Sequence, residues 1–454
     1  MPPIAVVRRS LPVLLVATLL GPPLLGSTTG PLLTLDPGTD VRARTEAVRA
    51  VAVEVDLDGW ASSRARSVHL PLFDGQELDV DFESVAENRS GSRSWVGRIR
   101  GDDHGLVVLV TRGDVAVASI RTGGDLFMLY PAGRGENGRT RHGLYEIDEA
   151  SPRFHEAPPT PIHTHDLAPL SPRRTATPRA GKANGDTNRD DGSVHDLMVV
   201  YTQHAIDEVG GLVPLETLID LGVTETNLSY EASGVDHRVA LVHTSFIEYD
   251  EFKPTGIDAR DHLQDPDDGV MDEVHPLRDR YGADLVMLLL GRSGCGRAFI
   301  MAEVDPAFEA FAFCRVSQIC VSPGYTFQHE LGHLAGGRHQ WSGDPANNAP
   351  FTFNHGYLDA VNEFRTIMAG NDILNCPDCT RRLRWSNPDI ADPVTGAPMG
   401  IPEGEPMACD NRKTLNATAL TIANFRQSVS PIFSDDFESG GLDAWSQVDP
   451  PPSP

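Results

Sequence analysis

Between residues 45 and 150 apolar side chains recur at alternate positions. In Ser67 to Val80 (SVHLPLFDGQELDV) the alternation flanks Asp74-Gly75, which predicts two strands joined by a tight turn. Gly105 to Ile120 repeats the pattern around Arg112-Gly113-Asp114, and Gly123-Gly124 precedes a further apolar run, DLFMLY. This stretch predicts a β-rich unit. After residue 184 the pattern changes. His195 to Thr202, Val239 to Phe246 and Ala283 to Leu290 are apolar runs of strand length, as a sheet covered on both faces requires. Leu215 to Ser233 places Leu215, Leu218, Leu221 and Val223 at helical spacing. Gly269 to Tyr281 reads as a helix with Asp272 and Glu273 early and Arg278 and Arg280 late, the order a helix dipole favours. Strand and helix alternate at spacings that call for right-handed crossovers. The expected class is α/β (α+β) with a mixed, mostly parallel sheet, and Ala310 to Ser317 is expected to add an edge strand.

Three segments fall outside these patterns. Leu11 to Leu20 is an apolar run of ten behind Arg8 and Arg9. As a helix it rises about 15 Å, half of a bilayer core, so it predicts an export signal rather than an anchor. No later run reaches about 18 apolar residues, so no membrane anchor is expected. Residues 151–183 carry seven prolines between 152 and 178 and five basic residues against two acids. They read as an extended linker, either a spacer or a processing site at Arg173-Arg174. Residues 429–454 hold five acids and no Lys or Arg, which reads as a disordered tail. The expected organisation is a signal peptide at 1–29, a β-rich propeptide-like unit at 30–150, the linker at 151–183, a catalytic α/β domain at 184–428 and the tail at 429–454.

The chain has 38 Lys+Arg against 64 Asp+Glu, a net charge of −26. A nucleic-acid binder would need a basic face, so that class is excluded, as is attachment to anionic lipid by basic patches. All six cysteines lie between Cys295 and Cys409. An even count in an exported domain predicts up to three disulfides. Cys376-x-x-Cys379 lacks the second C-x-x-C that a zinc knuckle needs, so it reads as disulfide-forming too. Asp186, Asn188 and Asp190 have calcium-ligand spacing, but the sixth position lacks Gly and the twelfth is Leu197, so a Ca2+ site is unsupported.

The chemistry is concentrated in YTFQHELGHLAGGRHQW, from Tyr325. His329 and His333 lie one turn apart on one helix face and can grip a single ion. Glu330 aims a carboxylate near that ion without ligating it. Gly336 can end the helix and turn the chain, and His339 then arrives as a third ligand. Three neutral imidazoles with an open fourth position are what catalytic Zn2+ requires, and Glu330 can serve as general base. His243, His262, His275 and His355 have no partner at ligand spacing and are not expected to bind metal.

These residues resemble the metzincin zinc peptidases, whose three-histidine stretch is joined by a later methionine turn. Arg365-Thr366-Ile367-Met368-Ala369 is similar to that turn, and the resemblance implies that Met368 forms a floor beneath the metal. Within metzincins the chain looks like the adamalysin-like (reprolysin-type) enzymes and the bacterial peptidyl-Asp metallopeptidases. DLMVVYT (196–202), DDGVMDEVHPLRDRYGADLV (267–286), RWSNP (384–388) and TLNATALTIANFR (414–426) carry the latter resemblance. It implies one catalytic Zn2+, protein or peptide substrates, and a propeptide role for 30–150. Residue 340 is Gln where adamalysin-like enzymes carry Asp. No cysteine precedes Cys295, so a cysteine-switch latency device is excluded. Residues 184–428 hold 17 Lys/Arg and 37 Asp/Glu, a net of −20, yet Arg365, Arg381, Arg382 and Arg384 cluster after the third histidine. With the peptidyl-Asp resemblance, this island predicts a basic pocket for an acidic residue just after the cut, and otherwise a salt-bridged loop. Two other readings are a zinc-bearing adhesin or inhibitor module without turnover, and a zinc hydrolase of a non-peptide bond. A monomer is assumed.

Overall fold

A computed structural model describes residues 32–429 except 58–66, 136–137, 150, 152–153, 155–156, 165–188, 254–255, 293, 346–348 and 373. The expected signal segment, Arg173-Arg174, Asp186, Asn188 and nearly all of the tail lie outside the described residues.

Nine antiparallel strands form the first sheet: β1 (Leu33–Asp36), β2 (Ala47–Val55), β3 (Ser67–Pro71), β4 (Glu77–Glu87), β5 (Arg93–Ile99), β6 (Leu106–Arg112), β7 (Val115–Arg121), β8 (Leu126–Arg134) and β9 (Thr140–Ile147). The order is β1-β2-β9-β8-β7-β6-β5-β4-β3. Asp74 and Gly75 both take positive φ, which makes the turn between β3 and β4. On β6 the faces divide. Val107 and Leu109 join Ile120, Phe127 and Leu144 in the sheet's own core. Val108 and Val110 turn to the other side and share a core with Leu215, Leu218 and Leu331. The near-continuous apolar run of β6 therefore reflects burial on both faces.

His142 of β9 is buried, and its Nε2 accepts the Ala116 N–H at 3.0 Å. Burial depresses its pKa to about 4. The folded form keeps this imidazole neutral, whereas the unfolded chain protonates near 6.5. Stability from this site is thus intact above 6.5 and lost as pH falls toward 4. In His142→Gln the amide oxygen can accept the same N–H without titrating. The stability advantage of wild type over this variant should shrink by about 2 kcal/mol from pH 6.5 to 5, at about 1.4 kcal/mol per unit. Urea midpoints at the two pH values measure it; a constant difference refutes it.

The second sheet comprises β10 (Thr160–Ile162), β11 (Val194–Tyr201), β12 (Arg238–Phe246), β13 (Leu285–Leu290), β14 (Gly296–Met301) and β15 (Phe313–Ser317), in the order β10-β14-β15-β13-β11-β12. Only β14 and β15 pair antiparallel. Helices α1 (Gln203–Val209), α2 (Leu212–Ser233), α3 (Ala259–Gln264), α4 (Val274–Tyr281), α5 (Thr326–Leu334) and α6 (Asn411–Ile422) accompany it. Three expectations are corrected. The strand at Phe313–Ser317 is interior, between β13 and β14, and the edge on that side is β10, paired with β14. The helix expected from Gly269 starts at Val274, because Gly269 and Met271 hold positive φ that no right-handed helix accommodates. Residues 157–164, expected as extended linker, include the paired strand β10.

Two disulfides form, Cys295–Cys320 and Cys376–Cys379. The expected upper count of three is not reached: Cys314 and Cys409 are buried free thiols. Cys314 sits on β15, where burial raises its pKa well above the usual thiol range.

Candidate metal centre

Helix α5 is packed so closely that none of its residues reaches solvent appreciably. Gly332 makes this possible. A Cβ there would lie 2.5 Å from Met368 Sδ and 2.6 Å from the Trp385 ring, both fully buried. The helix therefore rests on Met368 and Trp385 through a bare backbone face. Gly336 adopts φ +88, a left-handed conformation suited to glycine, and the chain turns there toward His339.

The turn brings His329, His333 and His339 together. The Nε2 atoms of His329 and His333 each lie 3.1 Å from His339 Nε2. Nδ1 of His329 is 2.8 Å from the Ile367 carbonyl, and Nδ1 of His333 is 2.8 Å from the Gly337 carbonyl. A carbonyl can only accept, so both Nδ1 atoms carry protons and both Nε2 atoms present lone pairs. His339 has one Nε2 proton to offer at most, so both 3.1 Å contacts cannot be hydrogen bonds. Lone pairs converging at this spacing fit a cation, and tetrahedral bonds of about 2.0–2.1 Å to zinc set nitrogens about 3.3 Å apart. Burial, reinforced by the neighbouring imidazoles, holds His333 well below the usual imidazole range, which keeps it in the neutral ligand form.

Glu330 is fully buried, and its carboxylate lies against Gly296, where a Cβ would collide with Oε1. Thus β14 starts at the carboxylate that the sequence singles out. Two positions acquire roles that the sequence did not reveal. His355 Nδ1 donates to the His339 carbonyl at 2.7 Å, and the Trp341 ring stacks on His355 with centroids 3.8 Å apart. His355 lies outside the three-histidine cluster and holds the backbone of His339. Gln340, at the position where adamalysin-like enzymes carry Asp, accepts the Gly370 N–H through Oε1 at 2.9 Å and so ties the third-histidine loop to the end of the methionine turn. Removing the ring donor in His355→Phe should weaken zinc binding about 10- to 100-fold, the usual cost of losing an orienting partner. Competition against a chelator measures this, and unchanged affinity would show that the bond is incidental.

The four arginines are not equivalent. Arg365 Nη1 and Arg381 Nη2 both donate to the Ala369 carbonyl, at 2.7 and 2.8 Å, and Arg381 also reaches the Gly324 carbonyl. Arg382 pairs with Asp392 at 2.8 Å. Arg384 donates to its neighbour's Leu383 carbonyl at 3.1 Å and has no carboxylate partner among the described residues. Burial lowers its pKa, with Arg98 acting the same way and Tyr325 opposing. Its own carbonyl accepts the Ile367 N–H at 2.8 Å, one residue from Met368.

Comparison with known proteins agrees with this centre. Residues 217–340 match the reprolysin-like profile of metallo-peptidase family M12B. A peptidyl-Asp metalloendopeptidase of Xanthomonas campestris pv. campestris is 31% identical over 392 residues, covering 83% of this chain and 86% of its own. Another from Stenotrophomonas maltophilia is 30% identical over 401 residues, covering 83% and 87%. Metalloproteinase-II of Bacteroides fragilis aligns with 74% of this chain and 92% of its own at a TM-score of 0.41 and 14% identity, too distant to add to the assignment. The chain belongs to the reprolysin-like M12B metallopeptidases, alongside the peptidyl-Asp metalloendopeptidases, and is a peptide-bond hydrolase.

Proposed function

We infer that this protein is an exported zinc endopeptidase that cuts on the amino side of aspartate, with Glu330 as general base. The observation that carries the reading is the convergence of three imidazole Nε2 atoms, two of them held as lone-pair donors by backbone carbonyls. His329, His333 and His339 would hold the ion, and zinc there supplies Lewis acidity and lowers the pKa of water toward about 7. Glu330 takes a proton from the attacking water and returns it to the leaving amine as the C–N bond breaks. Met368 and Trp385 keep the helix that carries these groups from shifting.

Preference for Asp is supported by Arg384, a partly desolvated guanidinium with no ion-paired carboxylate among the described residues, and by the names of the two relatives. Export is supported by the apolar run behind Arg8 and Arg9. A propeptide role for the nine-stranded sheet is supported by its place ahead of the catalytic domain and by polar contacts with α2 that flank the apolar core the two share. Ser90 and Ser92 donate to Asp220 at 2.5 and 2.7 Å, and Ser119 donates to Glu225 at 2.7 Å. Both carboxylates would be solvated without penalty if that sheet left. Digestion of a peptide library by the processed enzyme tests the whole reading. Cleavage clustered before Asp is expected; cleavage indifferent to acidic residues removes the specificity, and none at all in zinc-loaded protein removes the endopeptidase.

A further inference from the structure

The helix that carries the histidines begins on a strained residue. Tyr325, the N-cap of α5, holds φ +53, a left-handed conformation that an aromatic residue keeps only where its surroundings impose it. The constraint comes from several sides. The Tyr325 N–H donates to the Ser322 carbonyl at 3.0 Å, and the Tyr325 carbonyl accepts the His329 N–H at 3.1 Å. Arg121 Nη2 of β7 donates to the Pro323 carbonyl at 3.1 Å, and the same guanidinium lies over the face of the Tyr325 ring, 4.0 Å from its centre.

Arg381 links this residue to the arginine island. It donates to the Gly324 carbonyl and, through Nη2, to the Ala369 carbonyl at 2.8 Å. One side chain thus clips the approach to α5 onto the end of the methionine turn. Arg384 follows three residues on, with its carbonyl bonded to the Ile367 N–H. The segments that carry Tyr325 and Arg384 are therefore tied side by side.

Four charged groups bear on the Tyr325 phenol. Burial pushes its pKa up, Arg121 and Arg384 oppose that rise, and Glu225 of α2 and Glu149 add to it. The hydroxyl therefore keeps its proton and remains a donor. It donates to no group among the described residues. Arg384 engages only Nη1, on the Leu383 carbonyl. A protonated phenol beside an uncommitted guanidinium is a donor set for a carboxylate, and bonds to an ionised acceptor are the strong ones.

We propose that Tyr325 is a second specificity-determining residue, whose hydroxyl joins the Arg384 guanidinium in taking the carboxylate of the residue just after the cut. The proposal rests on the reading of Arg384 as the residue that recognises Asp. It also gives the left-handed start of α5 a purpose, since the strained backbone sets the phenol where the helix and the arginine segment meet.

The test uses the zinc-loaded enzyme as secreted and matched peptides with Asp or Ala after the cut. Tyr325→Phe removes the hydroxyl and keeps the ring beneath Arg121, so zinc content and urea midpoint should match the parent. Its kcat/KM for the Asp peptide should fall about 10- to 100-fold, the usual effect of losing a hydrogen bond to a charged group, and much less for the Ala peptide. The two donors should also couple. In an Arg384→Leu background, which no longer holds the carboxylate, adding Tyr325→Phe should cost the Asp peptide only about threefold or less. An unchanged Asp-to-Ala ratio in Tyr325→Phe would overturn the proposal. So would an equal fall for both peptides, which is what a purely structural hydroxyl would produce. If Arg384→Leu loses the preference while Tyr325→Phe keeps it, the role of Tyr325 fails and the reading of Arg384 stands. If neither variant moves the ratio, both fail.

Discussion

Glu330→Gln is expected to bind zinc as tightly as the parent and to lose about a thousandfold or more in kcat. The carboxylate lies against Gly296, and the amide has nearly the same size, so it fits the same space. His329 and His333 keep their carbonyl partners, and the helix keeps its seat on Met368 and Trp385. What disappears is a group that can accept a proton near neutral pH. General-base assistance contributes about 10²- to 10⁴-fold, and loss of a negative charge beside the reacting centre adds to it. Metal content by atomic emission and turnover of an Asp-containing peptide are the two measurements, made on processed protein. Undiminished turnover with full zinc content would refute the role. Loss of both zinc and activity would instead mark Glu330 as part of the ligand framework.

Much of this centre could be read from spacing alone. The pair at 329 and 333 shares a helix face because four residues make about one turn, and Gly336 bends the chain because a left-handed residue was needed before His339. The runs at 195–202, 239–246 and 283–290 became adjacent parallel strands; those at 195–202 and 283–290 are buried on both faces, while 239–246 lies at the sheet's edge and is only partly buried. Spacing does not encode pairing order. Nothing in AFAFCRVS distinguishes an edge from an interior strand, and Gly296–Met301, the strand that lies beyond it, is as apolar as its neighbour. The proline-rich linker hid a strand because parallel pairing at an edge tolerates residues without N–H groups on the outer side. His355 escaped notice because its partner is a backbone carbonyl, which no residue pattern records. The arginine island misled in the same way. Arg365 and Arg381 hold the turn together through the Ala369 carbonyl, so charge counted along the sequence overstated the charge left for a ligand.

That subtraction gives the second large effect. Replacing Arg384 by Leu should cost about 10²- to 10³-fold in kcat/KM for peptides with Asp after the cut and much less for peptides with Ala there. A site built to pair a buried charge rejects a substrate, or loses its preference, by more than an apolar pocket does, because the unmatched group stays desolvated. Arg384→Lys should recover only part of the loss, since a point charge cannot reproduce the two parallel bonds of a guanidinium to a carboxylate. Arg382→Leu serves as the comparison. It removes an equal charge two residues away, but one already neutralised by Asp392, so the Asp-to-Ala ratio should hardly move. Salt distinguishes a contact from a field: a paired, half-buried guanidinium is little screened at 0.5 M, whereas long-range attraction to the region would fade. The ratio of kcat/KM for matched Asp and Ala peptides, at low and high salt, is the readout. An unchanged ratio in Arg384→Leu would place the recognition elsewhere. An equal fall in both substrates would make Arg384 a structural support of the methionine turn through its backbone bond to Ile367 rather than the residue that reads the substrate.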